Sequence, residues 1–287
     1  MHANILICSI DVAYTARHTG PESTAQTRLE LEQQRQKLLA DIRAFNNDAK
    51  QYLPAMLFSG EVDFSQAVID VGAEWDDLEG FVTSDTTIDD DPTLPENRPI
   101  ALPSTLGVAF LKKHGLMSLA VKERALREGD MNECLLGLRA GIGYKSYVYY
   151  AKIRNASSFR ARLRSFDDIH ITDHAITKHV RTYTQCRQAA DRLFDMDDDD
   201  DRSAHEALMR KYEPIQRSDL KVNTTVVEPF SQGMRDLHAA WFWRLGDGNT
   251  NGPEETPFVR QCEWACVRIN CDLSHVVSAS FHVASRL

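Results

Sequence analysis

Long apolar runs are missing from this chain of 287 residues: none approaches the roughly 20 that a bilayer-crossing helix requires, so no membrane span is expected. The opening MHANILICSIDVAY is apolar, yet it lacks a basic n-region and a recognisable cleavage site and carries Asp11. It reads as a short buried segment or an imprecise start, not as a signal peptide. Cysteine is sparse. The six residues at 8, 134, 186, 262, 266 and 271 make no dense framework, which excludes a disulfide scaffold and predicts reduced thiols in an intracellular protein. Apolar alternation is scarce too, with VNTTVVE at 222–228 as the short strand candidate. No period of roughly 20–50 residues recurs, so a solenoid is excluded. What remains is 43% hydrophobic and 26% charged, an ordinary globular balance, with length for one large or two modest domains.

The formal net charge of −9 hides a division. Residues 60–101 hold twelve acids and a single base, Arg98, whereas residues 134–166 hold seven bases and no acid. The first stretch also contains Pro92, Pro95 and Pro99 and few apolar residues, which predicts an acidic, mostly unstructured linker. DDDDD at 197–201 reads as a second polar break, a solvated loop, because a flat Asp run lacks the alternation and turn glycine of a calcium loop.

Helical patterns dominate elsewhere. Over 22–53, Leu31, Leu38, Phe45 and Tyr52 recur every seven residues, with Ile42 and Ala49 filling the stripe and Arg35 interrupting it. Pro54 ends the pattern. Such a seam either packs inside its own domain or pairs two copies through Leu31, Leu38, Ile42, Phe45 and Tyr52. Residues 106–127 and 131–153 predict two helices joined near Gly129-Asp130, and Phe166, Ile169, Ile176, Val180, Tyr183 and Ala190 trace a further long stripe. The expected architecture is mainly α: an irregular helical bundle with an N-terminal heptad-like helix and an acidic disordered linker. Its expected segments are 1–59, 60–101 and 102–287.

Motifs for chemistry are also scarce. GLRAGIGYKS at 137–146 resembles a phosphate-binding loop, but five residues separate Gly137 from Gly143 and Tyr144 intrudes before Lys145-Ser146. A P-loop also follows a buried strand, whereas Leu135, Leu136, Leu138 and Ile142 lie at helical intervals, so these glycines read as close packing in a helix. His170 and His174 have zinc-ligand spacing, but Ile171 stands where a catalytic Glu would, and His179 lies far around the helix. They read as surface histidines. Cys262, Cys266, Cys271 and His275 would point to opposite sides of one helix, which a tetrahedral site does not allow. No G-x-S-x-G elbow is present. Trp241, Phe242 and Trp243 read as an aromatic knot anchoring a core. No catalytic residue, metal, cofactor or small-molecule substrate is expected.

The strongest signal is basic. Lys145, Lys152, Arg154, Arg160, Arg162 and Arg164 are interleaved with Tyr144, Tyr147, Tyr149, Tyr150 and Phe159. Cations of this kind contact phosphates and aromatics stack on bases, so this is the candidate nucleic-acid face. The competing reading is a solvated face neutralised by the acidic linker.

From residue 102 onward, LPSTLG (102–107) precedes the GL, SLA and LR elements of HGLMSLAVKERALREGDMNECL (114–135) and then LRAGIGYKSYVYYAKIRNA (138–156). DLKVNTTVVEP (219–229), AAWFWRLG (239–246) and EWACVRIN (263–270) follow. In this order they resemble the C-terminal region of Kyakuja–Dileera–Zisupton (KDZ) transposase-like proteins, abundant in fungal genomes, over about two thirds of the chain. That resemblance places GLRAGIGYKS in a helix and implies a nuclear location. The family's DDE-type, RNase H-like core would lie upstream, and the residues before LPSTLG do not match it. The implied function is a non-catalytic, transposase-derived accessory region for assembly or weak sequence-independent DNA contact, a fragment without the core. An active metal-dependent DDE transposase or nuclease, and a relic without selected activity, are the alternatives.

Overall fold

The computed structural model describes residues 2–20, 23–53, 94–98, 100, 102–153, 156–221 and 240–245. Among these the chain is mainly helical, an irregular bundle of seven α-helices: α1 (His2–His18), α2 (Ala25–Ala49), α3 (Pro103–Leu106), α4 (Val108–Lys113), α5 (Met117–Tyr147), α6 (Phe159–Asp191) and α7 (Asp199–Lys211). The strand candidate at 222–228 and the four-residue Cys/His set at 262–275 lie outside the described residues. No described helix is long and apolar enough to cross a membrane.

Packing divides the chain into two units: Met1–Cys134 with Val180–Tyr212, and Leu135–His179 with Glu213–Leu287. The long helices α5 and α6 each contribute to both. This division differs from the expected segments 1–59, 60–101 and 102–287, because residues from the first and third share one core. Ile5 and Val12 of α1, the α2 stripe and Ile100 are buried together, and Leu102, Leu106, Phe110, Leu116 and Leu119 pack against them.

The α2 stripe therefore faces its own unit. Leu31, Leu38, Ile42 and Phe45 are buried within the single chain, which removes them as a pairing surface for a second copy. Thr24 begins the helix by accepting the Thr27 N–H at 3.2 Å. Arg35, which interrupts the seam, donates to Glu96 from Nε at 2.9 Å and from Nη2 at 2.5 Å. The residue that spoils the apolar pattern thus carries an ion pair. Tyr52 departs from expectation: it is 71% exposed. The helix stops at Ala49, whose carbonyl accepts both the Tyr52 and Leu53 N–H groups at 2.9 Å, and this turn buries Leu53 instead.

The linker reading needs correction at its end. Pro95–Asn97 forms a 3-10 turn, the Glu96 carbonyl accepts the Ser9 hydroxyl at 3.2 Å, and Ile100 joins the core. The rest of the linker, residues 54–93, lies outside the described residues.

Helix boundaries between 102 and 147 are set by glycines in two opposite ways. Gly107 and Gly115 have φ of 77° and 68°, a region that L side chains rarely adopt, and they split the expected 106–127 helix. At Gly115 the Leu116 N–H reaches the Leu111 carbonyl at 2.8 Å and the Gly115 N–H reaches Lys112 at 3.2 Å, a Schellman ending. Gly129, expected to mark a junction, lies inside the uninterrupted α5. A single glycine costs a helix only about 1 kcal/mol relative to alanine, less than the burial of Arg127, Met131 and Cys134 on either side can offset.

GLRAGIGYKS lies inside α5, where its amide N–H groups belong to the helix ladder and are unavailable to cradle phosphate. Its glycines do allow close approach. A Cβ on Gly137 would meet the His179 ring at 2.5 Å from Cε1, and one on Gly141 would meet Ile176 Cγ1 at 2.8 Å. Substitution by alanine should consequently have opposite signs at two glycines of this helix. Gly129→Ala, with nothing within 4 Å of its Cβ, should stabilise by up to about 1 kcal/mol. Gly141→Ala should destabilise by about 1–2 kcal/mol, since Ile176 is buried and stiff at χ1. Urea unfolding of the two variants checks this, and equal shifts of the same sign would refute the close approach.

The Asp run also differs from expectation. Asp198 caps α7, its side chain accepting the Asp200 N–H, and Asp199, Asp200 and Asp201 form the helix's first turn. Carboxylates are favoured there by the partial positive charge of a helix N-terminus. Asp201 pairs with Arg124 at 2.9 Å and Lys112 pairs with Asp195.

Candidate nucleic-acid interface

The sequence-predicted cations do not form one surface. Lys145, near the end of α5, pairs with Asp173 of α6, and both side chains are less than one-fifth exposed. Lys152 lies in the π-helical turn Val148–Ile153 that continues α5. Its ammonium donates to Asp168 at 2.7 Å and to the Tyr144 hydroxyl at 3.3 Å, and sits 5.6 Å from the centre of the Tyr144 ring. Burial works against its charge, but the Asp168 carboxylate and Tyr144 outweigh it and hold its pKa above the usual lysine value. Tyr144 and Tyr147 are half-buried with ring centroids 6.5 Å apart. Arg154 lies outside the described residues.

Arg160, Arg162 and Arg164 are different. They occupy the first two turns of α6, a helix begun by Ser158, whose hydroxyl accepts the Ala161 N–H at 3.2 Å. All three are exposed, and among the described residues none forms an ion pair with them. Ser165 and Ile169 of the same helix are buried, which fixes the inward face; Arg160 and Arg164 lie well away from it, whereas Arg162 projects near Ile169 and is exposed two turns before it. Beside them Phe159 and Leu163 are 79% and 54% exposed.

Expected neutralisation by the acidic linker therefore takes another form for the lysines. Their partners are Asp168 and Asp173, at the first acids after the acid-free stretch, and the linker's Glu96 is engaged by Arg35. Sequence reasoning missed both aspartates. FDDIHITD carried the signal, since acids one and two helical turns beyond a basic run can face the cations of an adjoining helix.

The seventh base of the acid-free stretch, Arg139, is structural. It is 7% exposed and donates from Nε to the Phe242 carbonyl at 3.0 Å and from Nη2 to Leu245 at 2.8 Å. That fixes the 3-10 turn Trp241–Arg244, in which Phe242 and Trp243 are buried. The aromatic knot is a core anchor. Asp219 caps another such turn, accepting the Gln216 N–H at 2.8 Å, and Leu220 is buried behind it.

The remaining candidates for chemistry among the described residues are surface or core residues. His170 and His174 are exposed on α6. Cys134 and Cys186 are buried thiols; burial raises the pKa of both, that of Cys186 to about 11 despite the opposing pull of Arg127. Among the described residues no three His, Cys, Asp or Glu side chains are grouped as a metal site would require. No family model, curated protein or solved structure matches the chain.

Proposed function

We propose that the chain acts by binding, as a non-catalytic accessory region of a transposase-derived protein that makes weak, sequence-independent contact with DNA. The observation that carries this reading is the trio Arg160, Arg162 and Arg164, exposed on one end of α6 without an intramolecular carboxylate among the described residues. An exposed arginine cluster with no carboxylate partner among the described residues is suited to phosphate. The KDZ resemblance, carried by its ordered motifs, supplies the transposase context. Assembly through the α2 stripe is not part of the proposal, since that stripe is buried in its own unit.

Contact should be mainly with phosphates, because no groove-reading element accompanies the arginines. Affinity for duplex DNA should then fall steeply with salt as counterions are released. Replacing Arg160, Arg162 and Arg164 together by alanine should flatten the plot of log affinity against log salt by up to about 3 units, roughly one per lost phosphate contact. Lys145→Ala with Lys152→Ala should leave the slope within about one unit, because those ammonium groups already have carboxylate partners. Fluorescence anisotropy across a salt series measures both. An unchanged slope in the arginine variant, or no binding by the wild type at low salt, overturns the reading.

A further inference from the structure

Phe159, Leu163 and Phe166 follow one another at helical spacing and are 79%, 54% and 39% exposed. On a helix of 3.6 residues per turn the three fall within about 60° of one another. Arg160 and Arg162 flank that stripe on either side, and the buried Ser165 and Ile169 lie on a different face. Large apolar groups are seldom left outward in such a row, and here they alternate with exposed cations.

We infer that this face takes single-stranded nucleic acid, with bases stacked on Phe159 and Phe166 and phosphates held by Arg160, Arg162 and Arg164. The inference rests on the phosphate-contact reading above and specifies its substrate. A duplex offers phosphates but hides the faces of its bases, so it would leave the two phenylalanines unused. A single strand presents both, and aromatic stacking with electrostatic contact is the general chemistry of strand binding. Phe159 and Phe166 are separated by about 10 Å along the helix, which matches roughly three stacked-base steps.

Charge selects against the other occupants. A second copy packed on the same stripe would bring six arginines together. A bilayer surface would need a longer apolar face, and this one ends within two turns, where Asp167 and Asp168 follow Phe166.

The test uses the full chain with a mixed-sequence deoxyoligonucleotide, its duplex, and phosphatidylserine-containing vesicles, all at low salt. The single strand should bind more tightly than the duplex. Phe159→Ala with Phe166→Ala should weaken single-strand binding roughly tenfold or more while moving duplex binding less than about twofold. Phe159→Leu with Phe166→Leu keeps the apolar bulk and should lose affinity nearly as far, which separates stacking from packing. All four substitutions are at exposed positions, and an unchanged circular dichroism melt verifies that the variants fold. Equal affinity for strand and duplex, with both insensitive to the phenylalanines but abolished by the arginine triple variant, would overturn this inference and leave the phosphate reading intact. Binding to vesicles without binding to either oligonucleotide, or binding to none of the three, would overturn both.

Discussion

Leu38→Asp should abolish the cooperative unfolding transition of the first unit or lower its stability by at least about 4 kcal/mol, against the roughly 5–15 kcal/mol that holds an ordinary domain together. Leu38 is 1% exposed at the centre of the cluster formed by α1, α2 and Ile100. Truncating such a leucine to alanine alone costs about 2–5 kcal/mol, and aspartate adds the desolvation of a carboxylate. The deficit should narrow in acid. Burial raises the folded-state pKa of the new carboxyl above its unfolded value, so the variant is least penalised below about pH 4, where both states are protonated, and most penalised as pH rises through the folded pKa. Ala40→Asp, exposed on the same helix, should cost no more than about 1 kcal/mol, the difference in helix propensity between the two residues. Urea unfolding by circular dichroism, with sedimentation to report mass, makes the measurement. An unchanged melt with unchanged mass would show that the stripe is not buried.

How far the fold was legible depends on the range of the forces involved. The α2 stripe was readable because Leu31, Leu38, Ile42 and Phe45 repeat at a spacing that only a helix turns into a face. Tyr52 continued the same spacing yet fell outside, since periodicity does not register where the last carbonyl turns and the chain swings Leu53 inward. The three glycines at 107, 115 and 129 look alike in sequence, but two adopt positive φ and one is helical. KKHGL before Met117 held a usable ending signal, with lysines in the last turn and glycine just past it. The Asp run held one too, as an N-cap and acidic first turn.

The candidate site was half legible. Clustering of bases from Lys145 to Arg164 is a property of the sequence, but whether a base is neutralised is a property of the neighbouring helix. Asp173 is 28 residues from Lys145 and Asp168 is 16 from Lys152, and only the packing of α5 against the start of α6 brings each pair together. Among the described residues Arg160, Arg162 and Arg164 have no carboxylate partner, and Asp168, one turn after Arg164, is engaged by Lys152 instead. Arg139 shows the converse. Its place in the same basic run disguised a buried anchor for a turn more than a hundred residues away.

Arg127→Met should destabilise the first unit by about 3–5 kcal/mol, the cost of leaving one partner of a buried ion pair uncompensated. Glu123 and Arg127 are 7% and 6% exposed, one turn apart on α5. The Glu123 carboxylate accepts from Arg127 Nε at 3.1 Å and Nη2 at 2.8 Å, and from the Ser104 amide at 2.9 Å and hydroxyl at 2.7 Å. It thereby ties the start of α3 to α5. Arg127 also donates towards Cys186 Sγ at 3.8 Å, reaching α6 within the same unit. Without the guanidinium, Glu123 would keep the two serine donors and lose its counter-charge. Glu123→Gln combined with Arg127→Met should cost less than the sum of the single changes by at least about 1 kcal/mol, because neither charge is left alone. Equilibrium urea unfolding of the four proteins completes the cycle. Additive single effects, or an Arg127→Met loss below about 1 kcal/mol, would mean that the pair carries no coupling and that the Ser104 hydrogen bonds and apolar contacts hold α3 to α5 without it.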